Sequence, residues 1–423
     1  MTGKRKAKDL FEMDDTETQR KKITVRGLSG LRNIGNTCYM NSVLQCLMAT
    51  TRLSFYLVEK KFKEQLKDGM IRMIEDQNKD ELAKGDKVAV KKSKIKIKFK
   101  ESITYHLYKL FSYMWHRNCI IKPNGLKKRI GELCDTFEGN SQNDSQELLG
   151  FLLDRLHEET KYDVDVVIKN IPVEIENFNK NRKKFEKKLK NAKNDDDRVQ
   201  TIKKIIEYKH KNLKLYAMTK YYEYVQDYYK NNYSYVSNIF TGMYINYIMC
   251  KKCNNVHINF EPFNMMAISI PKNSSEKITL EECIKNEFKK EVLNDENKCF
   301  CEVCNDKTDA IQKTEVWNTS DYLIIHLKRF KNTGKRVSKI DTPVEYPLKG
   351  LQIKNLKKNN TTSFSLYGIV HHRGVLSGGH YIAYTKNALN GKWYEFNDDD
   401  IVHCPNETDI VDGGAYILFY KKE

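Results

Sequence analysis

The chain has 423 residues, 40% of them apolar and 11% aromatic, with a formal net charge of +18 and 11 cysteines. That is enough for one large domain or two ordinary ones with a sizeable core. The odd cysteine count argues against a disulfide framework. The polar start MTGKRKAKDLFEMDD has no apolar stretch for a secretory signal, and no run approaches the roughly 18 apolar residues of a membrane span. A reducing compartment, cytosol or nucleus, is expected, with cysteines as thiols, metal ligands or a nucleophile. The surplus lysine arrives with much Asn, Ile and Tyr, the composition of an AT-rich genome, and most of it is expected on solvated surface. Membrane and nucleic acid are therefore not expected as partners.

Residues 1–26 are polar and mixed in charge and read as a disordered basic tail. Within it Lys4, Arg5 and Lys6 with Arg20, Lys21 and Lys22 have the form of a weak two-part nuclear import signal. Ordered sequence is expected from Gly27. Met40, Val43, Leu44 and Leu47 give 37–48 helical spacing. In the basic stretch 60–100, Ile95, Ile97 and Phe99 alternate with lysines, a period of two that predicts a strand with a lysine-protected outer face. Leu148, Leu149, Leu152, Leu153 and Leu156 predict a helix over 144–159.

An insertion is expected at 161–233. Across 174–231, Ile175, Phe178, Phe185 and Leu189, then Val199, Ile202, Ile206 and Leu213, fall on heptad-like spacing around the break Asn194 to Asp197. This predicts a helical hairpin whose second arm starts with aspartates. The tyrosine-rich end, 221–235, can pack on the main body or hold a partner. From about 236 short β-type runs dominate, among them 322–327, 365–370, 381–385 and 415–420. The fold class is α+β, helical first and sheet-rich afterwards.

Chemistry concentrates at two places. The run 27–42, GLSGLRNIGNTCYMNS, brings Cys38 out of a Gly/Asn turn and into the first turn of an amphipathic helix. Free N–H groups and the partial positive charge there favour thiolate over thiol, and the loop amides with Asn33 can bind a developing oxyanion. Taken alone, a cysteine at a helix start is more often a small core residue, which is the reading kept for Cys46. A thiolate hydrolase also needs an imidazole and a group to hold it. Of the 10 histidines, His371 and His372 follow a β run and read as structural, and His326 reads as buried. His380 stands apart. Gly378 and Gly379 precede it, so that a thin peptide can pass close to the backbone, and an alternating strand starting with Tyr381 follows it. Downstream, Trp393 to Phe396 runs into Asn397, Asp398, Asp399 and Asp400. Either Asn397 or Asp398 can face the imidazole, whereas Asp399 and Asp400 read as solvated.

Cys250 with Cys253 and Cys301 with Cys304 form two CxxC pairs at the ends of β-type runs, a donor set suited to one tetrahedral structural zinc. Cys299 lies close by, but only Cys301 preserves the two-residue gap.

These segments together resemble the ubiquitin-specific proteases. Residues 27–47 look like the family's cysteine box and 376–384 like its histidine box. Gln142, Asn143, Asp144, Glu147 and Leu148 resemble its Gln-Gln-Asp-x-x-Glu-Phe segment, with Asn143 replacing the second Gln. Residues 325–330 and 393–398 match further boxes in the same order. The resemblance runs from about 27 to 420, interrupted by 60–100 and 161–233. It implies a papain-like fold with a thumb (27–160), zinc-bearing β fingers (mainly 234–320) and a palm (mainly 321–420). It implies Cys38 as nucleophile, His380 as base, Asn397 as third member with Asp398 in support, and Asn33 as oxyanion amide. Asp144 and Glu147 match acids that hold the arginine-containing tail of ubiquitin, although Asp144-x-x-Glu147 also has the form of a helix capping box. Gly378, Gly379 and Tyr381 fall to the substrate side. The expected activity is hydrolysis after the C-terminal glycine of ubiquitin, with ubiquitinated proteins or polyubiquitin as partners. The alternatives are a catalytically dead ubiquitin-binding module, a protease for another ubiquitin-like modifier, and, last, a zinc-dependent nucleic-acid binder.

Overall fold

The computed structural model describes residues 12–13, 25–77, 92–271, 277–332, 337–375, 378–411 and 413–423. Both Lys/Arg clusters of the tail, and Leu376 and Ser377 of the histidine segment, lie outside the described residues. Among the described residues no helix is long and apolar enough to cross a membrane.

The first half is a helical lobe built around the helix Cys38–Ala49. A single apolar face is expected for that helix, but every residue from Cys38 to Met48 is buried, polar Asn41, Ser42 and Gln45 included. The reason is its position: it packs on the helix Ser145–Thr160 on one side and the strand His380–Lys386 on the other. A helix between two layers has no solvent face, so its polar side chains must look for partners inside, as where Gln45 Nε2 donates to the Ser29 carbonyl at 2.8 Å. The leucine stripe of Ser145–Thr160 is buried as its spacing predicts. Beyond it Glu159, 1% exposed, accepts from the Ile103 and Thr104 N–H groups at 3.0 and 2.8 Å. It thereby meets the positive end of the helix Ile103–Arg117.

One expectation for this lobe is wrong. Lys92–Glu101 is a helix, not an edge strand. Ile95 and Phe99, four residues apart, turn to the core while Ile97 stays 56% exposed. Alternation over five residues does not separate the two periods when every second residue is lysine, a good helix former.

The second half is a mixed sheet. Its strands run in the order Asp400–Cys404, Trp393–Asn397, His380–Lys386, Asn360–Arg373, Ala415–Lys422, Tyr322–Leu327 and Met266–Ile268, with Leu351–Asn355 paired to one end of Asn360–Arg373. Only the Met266–Ile268 pairing is parallel among these. Both faces are covered. Along Tyr322–Leu327, Tyr322 and Ile324 enter the core shared with the helical lobe, while Leu323, Ile325 and Leu327 enter a second core on the far face. That two-sided burial is why the run reads as continuously apolar. Arg329, fully buried, ties the loop after this strand to its neighbours. Its Nε donates to the Ala415 carbonyl at 2.7 Å, and one terminal nitrogen donates to the Ile340 and Thr342 carbonyls, both at 2.9 Å.

A smaller antiparallel sheet, ordered Val256–Phe263, Gly242–Cys250, Ala310–Asn318 and Glu291–Leu293, extends from the palm and carries the Cys250–Cys253 turn, while the Cys301–Cys304 turn joins the separate strand pair Cys299–Cys301 and Asp306–Thr308. Against it lies the inserted arm. It is not a hairpin but three helices, Val173–Lys190, Asp195–Lys211 and Leu213–Lys230. The second opens on three aspartates with Asn194 as its cap, as the charge pattern predicts. The tyrosine-rich third helix packs on the body. Tyr221 meets Phe260 and Trp317 with ring centroids 5.4 and 5.5 Å apart, and these join Phe178 and Tyr216 in a third core. Consecutive helices separated only by Asn212 gave the sequence no break to read.

Replacing Arg329 by Ala leaves the buried Ala415 carbonyl and the half-buried Ile340 and Thr342 carbonyls without this donor, and a void beside them. The expected loss of unfolding free energy is at least about 3 kcal/mol, read as a lower denaturant midpoint at unchanged slope. An unchanged midpoint would refute the role given to this side chain.

Candidate active site

The turn before Cys38 uses left-handed backbone at Gly35 (φ 116°) and Asn36 (φ 52°). A Cβ on Gly35 would come 2.8 Å from Asn140 Oδ1, and Asn36 Nδ2 donates to the Asn140 carbonyl at 2.8 Å, so the turn is seated on the loop before Ser145–Thr160. The helix then starts at Cys38, with no side-chain cap from Thr37. The Thr37 carbonyl takes the N–H groups of Met40 and Asn41 at 3.0 and 2.9 Å. Those of Cys38 and Tyr39 have no acceptor among the described residues. Cys38 therefore sits where unpaired N–H groups converge.

His380 begins the strand His380–Lys386, which pairs with Trp393–Asn397 in the register Ala383 opposite Phe396. That pairing brings Asn397 to the ring, with His380 Nε2 2.7 Å from Asn397 Oδ1. The amide oxygen can only accept, so Nε2 carries the hydrogen and Nδ1 is left free to face a thiol. The imidazole pKa is raised to about 9, first by Cys38, against the opposing effect of burial, and further by Asn397 and the Asp398 charge. The other clustered histidines differ. Burial pushes His326 and His372 down to about 4, so both are neutral; His372 is buried, whereas His326, expected to be buried, is half-buried.

Asp398 has left-handed backbone (φ 54°) and turns back to the Cys38 segment. Its Oδ2 accepts from Asn33 Nδ2 at 3.0 Å, its Oδ1 accepts from Asn41 Nδ2 at 2.8 Å, and its carbonyl accepts from the Leu31 N–H at 2.9 Å. Asn33 Oδ1 accepts from the Gly35 and Thr37 N–H groups at 3.1 Å each, which fixes which way the amide faces. Asp399 is not the free solvated acid expected: it pairs with Arg32 Nε at 3.1 Å. Asp400 is exposed, in keeping with its reading. Asn41 and Arg32 were missed because nothing in their own spacing marks them. Only the return of the chain at Asp398 and Asp399 gives them partners.

Asp144 caps the helix Ser145–Thr160, accepting from the Gln146 N–H at 2.7 Å and from the Tyr416 hydroxyl at 2.6 Å. Burial pushes its carboxyl pKa up. Glu147 makes no reciprocal cap bond and is exposed, so the capping box is half formed. Gly378 is exposed and Gly379 half-buried beside His380. A Cβ on Gly379 would lie 2.0 Å from His372 Nε2, so only glycine allows this approach. Gln142 Nε2 donates to the Gly379 carbonyl at 3.1 Å, joining the loop before the helix Ser145–Thr160 to the glycines before His380. Tyr381, expected on the substrate side, is instead 5% exposed, its ring packed on His372 and Tyr416. It is buried in the core shared with the helical lobe, in the same cluster as Cys38.

At the tip of the smaller sheet, Cys250, Cys253, Cys301 and Cys304 place their sulfurs within 4.8 Å of one another. The pairs Cys250–Cys304 and Cys253–Cys301 are 3.9 and 3.6 Å apart. A tetrahedron with metal–sulfur bonds of about 2.3 Å has edges of about 3.8 Å, so the four thiols lie close enough together to hold a single metal ion. Cys299 lies outside the group, opposite Thr308 in a short strand pair.

A family model described as ubiquitin carboxyl-terminal hydrolase matches residues 29–420. A probable ubiquitin carboxyl-terminal hydrolase of Acanthamoeba polyphaga mimivirus is 28% identical, covering 93% of this chain and 90% of its own. Human ubiquitin carboxyl-terminal hydrolase 2 is 26% identical over 94% of this chain, which spans only 56% of that protein. Among solved structures, a yeast SAGA DUB module chain superposes with a TM-score of 0.61 at 22% identity, covering 97% of this chain and 72% of its own. A second, in a module bound to ubiquitin aldehyde, gives 0.58 at 22%, covering 96% and 72%. At that identity the likeness speaks for the fold: α+β, with thumb, palm and fingers.

Cys38 is the largest influence holding the imidazole pKa near 9. In Cys38→Ala the His380 titration, followed by NMR of the ring, should therefore move down toward the ordinary histidine value of about 6.5. In the unchanged protein the imidazolium should persist until the pH rises through about 9. A titration that Cys38→Ala leaves in place would mean that ring and thiol do not meet.

Proposed function

The chain belongs to the ubiquitin carboxyl-terminal hydrolase family, and from that premise we propose that it is a thiol-dependent deubiquitinase working through Cys38, His380 and Asn397. The observation that carries this reading is the His380 ring held by Asn397 Oδ1, 2.7 Å from Nε2, with Cys38 the first influence on the ring's charge. A cysteine at an unpaired helix start, beside an imidazole that prefers to be charged, has what a nucleophile requires.

The Cys38 thiolate attacks the carbonyl carbon of ubiquitin's last glycine. The oxyanion is received by the Cys38 and Tyr39 N–H groups and by the second hydrogen of Asn33 Nδ2, the first being held by Asp398. His380 gives its proton to the departing lysine amine, and the bond to that amine breaks. The ring then takes a proton from water, whose oxygen attacks the thioester and releases the ubiquitin carboxylate and Cys38. Asn397 holds the ring and its tautomer throughout. Gly378 and Gly379 leave room for the thin tail of the substrate. Glu147, exposed at its rim, is the acid available to an arginine of that tail. Asp144, already committed to Gln146 and Tyr416, supports the wall. Zinc, held by Cys250, Cys253, Cys301 and Cys304, stiffens the finger tip and takes no part in bond cleavage.

Cys38→Ala should abolish release of a fluorophore from the C-terminus of ubiquitin while ubiquitin still binds in a direct titration. Turnover that survives the substitution would end the assignment, and binding without turnover or adduct formation by the unchanged protein would favour the inactive module. For the metal, Cys301→Ser should release zinc, measured by elemental analysis, and lower the melting temperature. Cys299→Ser should do neither, and a loss of zinc in that variant would show that the wrong thiol had been assigned.

A further inference from the structure

We infer that Asn41 is a positioning residue for the oxyanion amide, acting through Asp398 on Asn33; this rests on the deubiquitinase reading of the same site. Asn41 is 2% exposed, three residues beyond Cys38 in the same helix. Its Nδ2 donates to two groups that can only accept, the Leu31 carbonyl at 3.0 Å and Asp398 Oδ1 at 2.8 Å. Its own Oδ1 is buried without a hydrogen-bond partner. A side chain chosen for stability alone would not leave a buried carbonyl unpaired. What Asn41 retains is a doubly used NH2 aimed at the one carboxylate that also holds Asn33.

The relay has a definite direction. Asp398 offers one oxygen to each amide, at 2.8 Å to Asn41 and 3.0 Å to Asn33. Asn41 is fixed by its helix and its burial, whereas Asn33 is exposed and sits in a loop. The buried amide therefore sets the carboxylate, and the carboxylate sets the exposed amide. From the other side, Gly35 and Thr37 N–H groups hold Asn33 Oδ1. With its oxygen and one hydrogen taken, Asn33 has a single N–H left, whose direction is then determined. An oxyanion donor is effective only if it is aimed before the charge develops. Without Asn41, Asp398 keeps its bond to Asn33 but loses its fixed point, and Arg32, now paired with the adjacent Asp399, competes for it.

The test compares ubiquitin aldehyde with unmodified ubiquitin. The Cys38 sulfur adds to the aldehyde carbon, the carbonyl π bond opens, and the oxygen, taking its negative charge or the imidazolium proton, occupies the oxyanion position. Asn41→Ala should weaken binding of ubiquitin aldehyde by about tenfold or more and lower kcat on a C-terminal ubiquitin fluorophore by a similar factor. Affinity for ubiquitin and KM should stay within about threefold. Asn33→Ala with Asn41→Ala should be no worse than Asn33→Ala alone, because both act on one donor. Equal weakening of ubiquitin and its aldehyde, or multiplying losses in the double variant, would overturn the relay and leave Asn41 a structural tie to Leu31. If Asn41→Ala does not fold, Asp398→Ala enters the relay from its accessible end. It must show the same selective loss, and its absence would equally overturn the inference. Turnover by the unchanged protein is measured first: its absence rejects the hydrolase reading itself, whereas turnover indifferent to Asn41 rejects only the relay.

Discussion

The site depends on one close approach of backbone to backbone. Where the helical lobe meets the sheet, the segment before Cys38 lies directly against the turn after Asn397, with the Leu31 N–H donating to the Asp398 carbonyl at 2.9 Å. A Cβ on Gly30 would fall 2.5 Å from the Asp399 carbonyl oxygen, closer than any ordinary contact, so glycine is required there. The other face of the same segment is joined to Ile121, whose N–H donates to the Gly30 carbonyl at 3.0 Å and whose carbonyl accepts from Arg32 at 2.9 Å. Residues 30–32 are thus clamped between the lobes. Cys38, Asn33 and His380 inherit their spacing from that clamp rather than from any contact among themselves.

This arrangement explains which parts of the site were legible in the sequence. Cys38 and His380 carry local signals: a Gly/Asn turn running into a helix, and paired glycines before a strand. Each signal is the physical requirement of the group itself, a helix start for a thiolate and an open backbone for a passing peptide. The CxxC pairs are legible for the same reason, since ligand spacing is set within one turn. Asn397 and Asp398 were left open by their residue types alone, and strand register decides between them: Ala383 opposite Phe396 carries the next residue, Asn397, to the ring. Asn41, Arg32 and Asp399 were illegible because their partners are remote in sequence, and an amide or an acid without its partner looks like solvated polarity.

The misread elements of the fold have a common cause as well. Short-period alternation at Ile95, Ile97 and Phe99 looked like a strand, yet the environment that chooses between periods is Phe62, whose ring lies 6.3 Å from that of Phe99. The arm looked like a hairpin because its third helix is marked by tyrosines rather than by an aliphatic stripe. Tyrosine serves there because its ring can be buried while its hydroxyl reaches the edge: Tyr221 packs on Phe260 and Trp317, and Lys357 Nζ donates to its hydroxyl at 2.9 Å. In both cases tertiary packing overrode a local pattern.

A neutral residue as the partner of the imidazole changes how charge is distributed around it. Asn397 orients the ring but supplies no negative charge to stabilise an imidazolium, so that stabilisation must come from elsewhere. It comes first from Cys38 itself and, more weakly, from the Asp398 carboxylate, one residue further along. Because Asp398 is also bonded to Asn33 and Asn41, its charge is fixed in place and partly neutralised by amide N–H groups on the side facing the nucleophile. A carboxylate directly against the ring would make the ring hold its proton more tightly, whereas a ring that serves as general acid has to part with it. Separating the residue that orients from the residue that is charged lets the geometry be rigid while the proton remains transferable. The left-handed backbone at Asp398 is what makes the separation possible, because it turns the carboxylate away from the ring and toward the amides in a single step of the chain.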